Sequence, residues 1–321
     1  MISVIIPAYN EAGNLENLMS ELSKVLAKIN YEYEVIFIND GSNDETEAML
    51  KSLCENYNSL YYINFSRNFG QQNALKAGYD KARGDAVISL DADLQNPPDI
   101  LFQFVKKWEQ GFDIVLCKRK GAKQNSGFLK GITSRFFYHL LSSLSEIKIE
   151  KNCPDFRLLD RKVVNVLKEM PETDIFLRGI ISWLGFRKTV VEYDHVSRVA
   201  GVTHYTFSKM LRLAFTGLTS FSVKPLYISI YLGVLISALA VCYIPYVFYL
   251  YSTGETISGW ASLMVTIAFF GGLQLFVLGI IGLYIGKSYM QGKNRPSYII
   301  QETNIPKQDA IFETSLLTKI A

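Results

Sequence analysis

The sequence predicts an α/β domain built on a mostly parallel sheet, followed by two membrane-spanning helices. Three observations predict it. Short apolar runs alternate with helical patterns through residues 1–205. Two later stretches, 226–251 and 257–286, contain no charged residue. Lysines and arginines flank those stretches on one side only.

The first apolar run, "ISVIIPAY" (2–9), reads as a strand and leads into a helical pattern over 13–29. "YEVIFIND" (33–40), a helix near 43–57, "LYYINFS" (60–66), a helix near 70–83 and "DAVISLDAD" (85–93) continue the alternation. Strict alternation of strand and helix argues for parallel strands with helices on both faces. Asn43 or Asp44 is placed to cap the second helix. Pro97-Pro98 is placed to open the fourth, where a missing N–H costs little. The formal net charge of +3 is too slight to argue for nucleic acid. The four cysteines, Cys54, Cys117, Cys153 and Cys242, lack any C-x-x-C pairing or zinc-like spacing, which fits thiols in a reducing compartment. Met1 leads straight into a strand, so nothing there reads as a signal peptide.

Each charge-free stretch exceeds the roughly 20 apolar residues needed to cross a hydrocarbon core, and Pro245 and the glycines within them are tolerable in a membrane helix. Lys209, Arg212 and Lys224 precede the first stretch, and Lys287, Lys293 and Arg295 follow the second. The connecting "STGETISGW" has neither Lys nor Arg. By the positive-inside rule the large domain and both termini are cytoplasmic. Between domain and spans, Phe207, Met210, Leu211, Ala214, Leu218 and Phe221 share one helical face, as suits a helix lying in the membrane interface. The expected organisation is the α/β domain over 1–205, an interfacial helix over 206–224, the spans with a short outer loop over 225–286, and a tail over 287–321. Within the tail, "RPSYII" reads as a strand that docks on the domain or on a neighbouring subunit.

In parallel sheets ligands bind beyond the carboxyl ends of the strands. Three polar clusters end strands there: Pro7-Ala8-Tyr9-Asn10-Glu11, Asn39-Asp40-Gly41-Ser42 and Asp91-Ala92-Asp93. No G-x-G-x-x-G follows the first strand, which counts against a dinucleotide. Asp91 and Asp93 either cap the next helix or share a cation. Two carboxylates on a rim with the other two clusters suit Mg²⁺ or Mn²⁺, which complete their shells with substrate phosphates.

The chain resembles family 2 glycosyltransferases of the GT-A fold, a Rossmann-like, mostly parallel sheet, in the group that loads sugars onto polyprenyl phosphates. The resemblance is carried by "IPAYNE" (6–11), "NDGSNDET" (39–46), "SRNFGQQNALKAG" (66–78), "LDADLQNPP" (90–98), "DFRLLDRKVV" (155–164), "FLRGIISWLGF" (176–186) and "VSRVAG" (196–201). It implies an inverting, metal-dependent hexosyl transfer from a UDP- or GDP-sugar to a polyprenyl phosphate, at a bacterial inner or plasma membrane. Carried over, Pro7, Tyr9, Glu11 and Asp40 line the nucleoside pocket, with Asn68, Asp91, Ala92 and Asp93 completing the nucleotide site. Asp40 would accept hydrogen bonds from base or ribose. Asp91, Asp93 and Gln95 would hold the metal; Arg119, Arg135 and Arg198 would contact phosphate, Arg198 from a loop that folds over the site. Asn39 departs from the pattern, standing where an Asp is usual. His204 departs too, standing in place of a lysine, and it would grip phosphate only in the part protonated near neutral pH.

A lipid phosphate has a second pKa near 6 and is already mostly dianionic, so it needs no strong general base. Asp155 or Asp160 orients the acceptor or polarises the reacting centre, or else simply pairs with Arg157 or Arg161. His139, His195 and Trp183 read as structural. A homo-oligomer is left open. Two other readings compete: a processive synthase, which would carry Gln-x-x-Arg-Trp and more spans, and a non-catalytic membrane adaptor or lipid-linked-sugar carrier on the same fold.

Overall fold

A computed structural model describes residues 1–93, 95–119, 153–172, 175–193, 224–254 and 259–306. These fall into two units, each taken by itself: a sheet domain that includes residues 296–306, and a pair of long helices.

All seven residues of β1 (Ile2–Ala8) are buried, as are six of seven in β2 (Tyr33–Asn39). Strands that are apolar on both faces need cover on both, and the intervening helices supply it. Helix α1 (Ala12–Leu26) buries Leu15, Leu18, Met19, Leu22, Val25 and Leu26, one stripe at helical spacing. With α2 (Thr46–Asn56) and α4 (Ile100–Glu109) it covers the face that holds Val4, Ile6, Val35 and Phe37. Helix α3 (Gln71–Lys81) lies on the other face. A Cβ on Gly78 would come within 3.0 Å of Ile5 and Ile38, so a bare backbone is what lets α3 sit this close.

The remaining strands are β3 (Leu60–Phe65), β4 (Ala86–Ser89), β5 (Ile114–Arg119), β6 (Arg157–Asp160), β7 (Lys188–Tyr193) and β8 (Ile300–Thr303). The eight strands run in the order β7-β5-β6-β4-β1-β2-β3-β8. Pairs β1–β2, β1–β4, β2–β3 and β5–β7 are parallel, as expected. Strand β6 is antiparallel to both β4 and β5, and β8 is antiparallel to β3. Thus "YII" docks on this chain's own sheet. Helices α5 (Arg161–Glu169) and α6 (Leu177–Trp183) also belong to the described part of the domain.

One residue opens the crevice beside β1. The β1–β4 ladder ends where the Leu90 N–H donates to the Ile5 carbonyl (3.0 Å). The next donor on that side of β1 belongs to position 7, and Pro7 has none. Strand β4 leaves the ladder there, and its continuation becomes the loop carrying Asp91 and Asp93.

In the second unit, α7 (Lys224–Thr253) contains Pro245 and α8 runs Trp260–Gly292. The segment Val265–Gly292 is long and apolar enough to cross a membrane; Ser229–Tyr243 in α7 is apolar but shorter. Leu275 is 71 % and Val265 69 % exposed, large apolar surfaces without protein cover. The expected interfacial helix over 206–224 lies outside the described residues but for Lys224, the first residue of α7.

Candidate active site

The loops after β1 and β2 are stitched together by their own polar side chains. The Asn10 N–H donates to Ser42 Oγ (2.9 Å), and the Asn43 N–H returns a bond to Asn10 Oδ1 (2.9 Å). Glu11 N–H donates to Thr46 Oγ1 (3.0 Å) and Ala12 N–H to Asp44 Oδ2 (3.3 Å). Asp44 Oδ1 also takes the Thr46 N–H, so it serves the start of α2 from two residues upstream. Tyr9, 43 % exposed, and half-buried Glu11 project from this pair of loops.

The loop after β3 lies directly over Gly41. A Cβ there would meet Arg67 C at 2.3 Å and Asn68 N at 2.6 Å, and the residue has φ +65°, so glycine is required twice over. Asp40 is 3 % exposed. Its carboxylate accepts from Phe69 N (2.7 Å) and Gly70 N (2.9 Å), the N–H groups that open α3. Burial raises the Asp40 carboxyl, against the pull of those N–H groups and Arg67. Through these bonds Asp40 sets the shape of residues 66–70. Asn68 sits exposed on that loop. The departure at position 39 has a local cause: Asn39 Nδ2 donates to Asn64 Oδ1 (3.1 Å) while Asn39 Oδ1 accepts from Ser42 N (3.0 Å). A carboxylate could do the second but not the first.

The acidic rim follows β4. Gln71 Nε2 donates to Asp91 Oδ1 (2.8 Å) and Asn96 Nδ2 to Asp91 Oδ2 (3.3 Å). Burial first, then the charges of Asp155 and Asp93, push the Asp91 carboxyl up to about 6. Asp93 accepts from the backbone N–H of buried Gln95 (3.1 Å), and Ala92, between Asp91 and Asp93, is buried. Asp155 is 3 % exposed and ion-paired with Arg157, itself buried, and with Arg178, whose Nε and Nη2 donate to it (3.1 and 2.9 Å). Burial would raise its carboxyl, yet the two arginines hold it below the usual range. Of the two roles open to Asp155, the structure displays the pairing with Arg157. Gln72 joins it too, donating to Asp155 (3.3 Å) and accepting from Leu177 N (3.2 Å) at the start of α6.

Two expected residues fall elsewhere or differently. Asp160 is a correction: it pairs with Ala86, the first residue of β4, at the opposite end from Asp91. There it caps α5 through Lys162 N (2.9 Å) and accepts from Trp108 Nε1 (2.7 Å). Arg119 does reach the rim, but through partners: its Nε donates to Tyr193 OH (3.0 Å), whose hydroxyl donates to Asn96 Oδ1 (2.9 Å). The chain Arg119–Tyr193–Asn96–Asp91 thus steers one side of the Asp91 carboxylate. Arg135, Arg198 and His204 lie outside the described residues. Gln71, Gln72, Asn96, Arg178 and Tyr193 carry no role that the sequence alone assigned, although all but Tyr193 fall inside motifs that carry the resemblance.

The donor set fits a hard divalent cation. Asp91 faces two like charges that raise it, and the groups offered are oxygens. Among the described residues no three His, Cys, Asp or Glu side chains form a complete cage. An ion here would take its remaining ligands from water and substrate phosphates, the usual habit of Mg²⁺. A separate cleft lined by Tyr31, Tyr33, Tyr57 and Tyr61 opens at the amino ends of the strands, where Glu34 and Arg83 neutralise each other. It has no acidic pair to spare.

Residues 3–167 match the profile described as glycosyl transferase family 2. A protein of Synechocystis sp. described as an uncharacterized glycosyltransferase is 42 % identical over 302 residues, covering 94 % of this chain and 95 % of that one. A prophage-derived bactoprenol glucosyl transferase of Shigella flexneri is 40 % identical over 306 residues, covering 94 % and 98 %. Among solved structures, a mannosyltransferase of Pyrobaculum calidifontis in complex with GDP-Man and Mn²⁺ is 19 % identical, covers 92 % of this chain and 85 % of its own, and gives a TM-score of 0.46.

Proposed function

Because the chain belongs to glycosyl transferase family 2, we propose that it transfers a hexose from a UDP- or GDP-linked donor to the phosphate of a polyprenyl phosphate such as undecaprenyl phosphate. The single observation that carries the donor side is the acidic pair Asp91 and Asp93, with Asp91 held by Gln71 and Asn96, on a rim shared with the loops after β1, β2 and β3. The acceptor side is supported by 40 % identity over nearly the whole chain to a bactoprenol glucosyl transferase. An apolar helix in the same chain supports action at a membrane.

In this scheme Tyr9, Glu11 and residues 66–70 bound the nucleoside. Asp91 and Asp93, with Gln95 beside them, would hold Mg²⁺ or Mn²⁺, which supplies charge neutralisation for the departing diphosphate. Gln71 and Asn96 orient Asp91 from two sides. The acceptor phosphate dianion attacks the anomeric carbon as the bond to the diphosphate oxygen breaks, with inversion. Asp155 is committed to Arg157 and Arg178, so it acts through them: it fixes the Arg178 guanidinium at the rim, where phosphate charge collects. The two charge-free stretches form two spans, and the flanking Lys and Arg place the domain and both termini in the cytoplasm. The lipid then keeps its tail in the bilayer and offers its phosphate at the surface.

The test is direct. The purified full chain in detergent is incubated with a panel of nucleotide sugars, a short-chain polyprenyl phosphate and Mg²⁺ or Mn²⁺, and the lipid is weighed by mass spectrometry. A gain of one hexose is expected. Release of free sugar with no lipid product from any donor would overturn the assignment.

A further inference from the structure

We infer that residues 296–304, which follow α8, form a strap that sets the donor-side loop 66–70, with Tyr298 as the positioning residue; this rests on the assignment of that loop to the nucleotide-sugar pocket. The strap touches the loop itself as well as the strand before it. The Ile299 carbonyl accepts from Ser66 N (3.1 Å), at the loop's first residue. The Tyr298 ring stacks on Phe65, with centroids 5.2 Å apart and planes 13° from parallel. Phe65 in turn meets Phe69 edge-on at 5.6 Å. Phe69 is where the Asp40 carboxylate takes its 2.7 Å bond, and the Arg67 guanidinium lies 4.0 Å over the same ring. The loop is therefore held between Gly41 beneath and the strap beside it.

The strap cannot slide. Tyr298 OH donates to Asp80 Oδ2 (2.9 Å), whose other oxygen is paired with Lys76 (2.5 Å), tying the strap to α3. Farther along, Glu302 bridges Lys51 (2.7 Å) and Tyr62 OH (2.9 Å), and Asn304 Oδ1 accepts from Tyr62 N (2.7 Å). The bonds to Ser66 and Tyr62 hold the strap on β3 with or without the bond to Asp80, so the stacked ring keeps its place, and through Phe65 and Phe69 it restricts where the Phe69 and Gly70 N–H groups point. Such a chain of packed rings and hydrogen bonds is the physical means by which a distant side chain shapes a site. Tyr298 lies six positions beyond Gly292, the last residue of α8, so the loop's geometry is set by the part of the chain that leaves the apolar helices.

The experiment uses the full chain in detergent, with Tyr298→Ala, which removes the ring, and Tyr298→Phe, which keeps the ring and loses only the bond to Asp80. Hydrogen exchange of a peptide spanning residues 66–70, without ligand, reads the coupling independently of function. Tyr298→Ala should speed exchange there roughly tenfold, the worth of one aromatic pair, and Tyr298→Phe should restore protection. Calorimetry with UDP-glucose and GDP-mannose, each with Mn²⁺, should show donor binding weakened about tenfold in Tyr298→Ala and within about twofold of wild type in Tyr298→Phe. Donor KM should rise with the acceptor KM unchanged. Unaltered exchange in Tyr298→Ala, or a Phe variant as impaired as Ala, overturns the strap. Faster exchange with unchanged donor binding overturns its link to the donor. If wild type binds neither nucleotide sugar, the donor assignment itself falls and takes the functional half of the inference with it.

Discussion

Replacing Asp91 by Asn should stabilise the cation-free protein while abolishing transfer. Burial first, then Asp155 and Asp93, lift this carboxyl from 3.8 to about 6. At about 1.4 kcal/mol per tenfold change in proton affinity, keeping it ionised near neutral pH costs roughly 3 kcal/mol. An amide keeps an acceptor for only one of Gln71 and Asn96, which gives back about 1 kcal/mol. The net gain is about 2 kcal/mol, or roughly 4 °C in melting temperature for a chain of this size. The sign with pH follows from the direction of the shift. A carboxyl raised by folding binds its proton more tightly in the native state, so wild type gains stability as pH falls from about 6 toward 3.8, and the advantage of Asn shrinks over the same interval. Thermal unfolding of the full chain in detergent with a chelator, at about pH 7.5 and about pH 5, reads this; about two-thirds of the difference should be gone at the lower value. An Asn variant that melts below wild type at the higher pH, or a gap that ignores pH, would refute the account of Asp91 as a charge held against burial and its acidic neighbours.

Tyr193→Phe should loosen Asp91 through Asn96 and weaken Mn²⁺ binding about tenfold, as outer partners of metal ligands typically do; unchanged affinity by electron paramagnetic resonance would sink the relay. Asp155→Asn should leave Arg157 buried without its counter-charge and cost about 3 kcal/mol or more. Wild type loses the Asp155 contribution only below about pH 4, since this carboxyl is held low and its stabilisation is fully present above the unfolded value; urea unfolding at stepped pH decides it. Asp160→Ala should cost about 1–2 kcal/mol through the lost cap on α5 and leave transfer per folded molecule within about twofold. A large loss of turnover in folded Asp160→Ala would return that residue to the chemistry.

The sheet was legible because β1, β2 and β3 are apolar runs with helical patterns between them, the alternation that a parallel sheet covered on both faces imposes. Strand β6 was not, since "RLLD" is four residues long and its direction depends on partners far away in sequence. The acidic pair was legible as a pair, because carboxylates one residue apart at a strand end repel each other unless a cation or a helix start draws them together. Its surroundings were hidden for the opposite reason. Asn96 and Tyr193 meet across 97 positions, and Gln71 reaches Asp91 from a neighbouring helix. Asp160 misled because a carboxylate beside a strand looks the same at either end until the strand's direction is known. The inward partners of Asp40 were hidden for the same reason: the backbone N–H groups it holds lie 29 and 30 residues away.

The last strand carries a consequence for how the molecule is made. Tyr62 bonds to Glu302 across 240 residues, and the pair of long helices is encoded between them. During synthesis, the outer edge of β3 waits, unpaired, until both apolar helices have been translated, and an unpaired strand edge is a template for the wrong neighbour. A fragment cut before α7 would keep that edge bare permanently. It should stick to its own copies, so a soluble preparation for crystallography would need residues 296–304 supplied back, in cis or as a peptide.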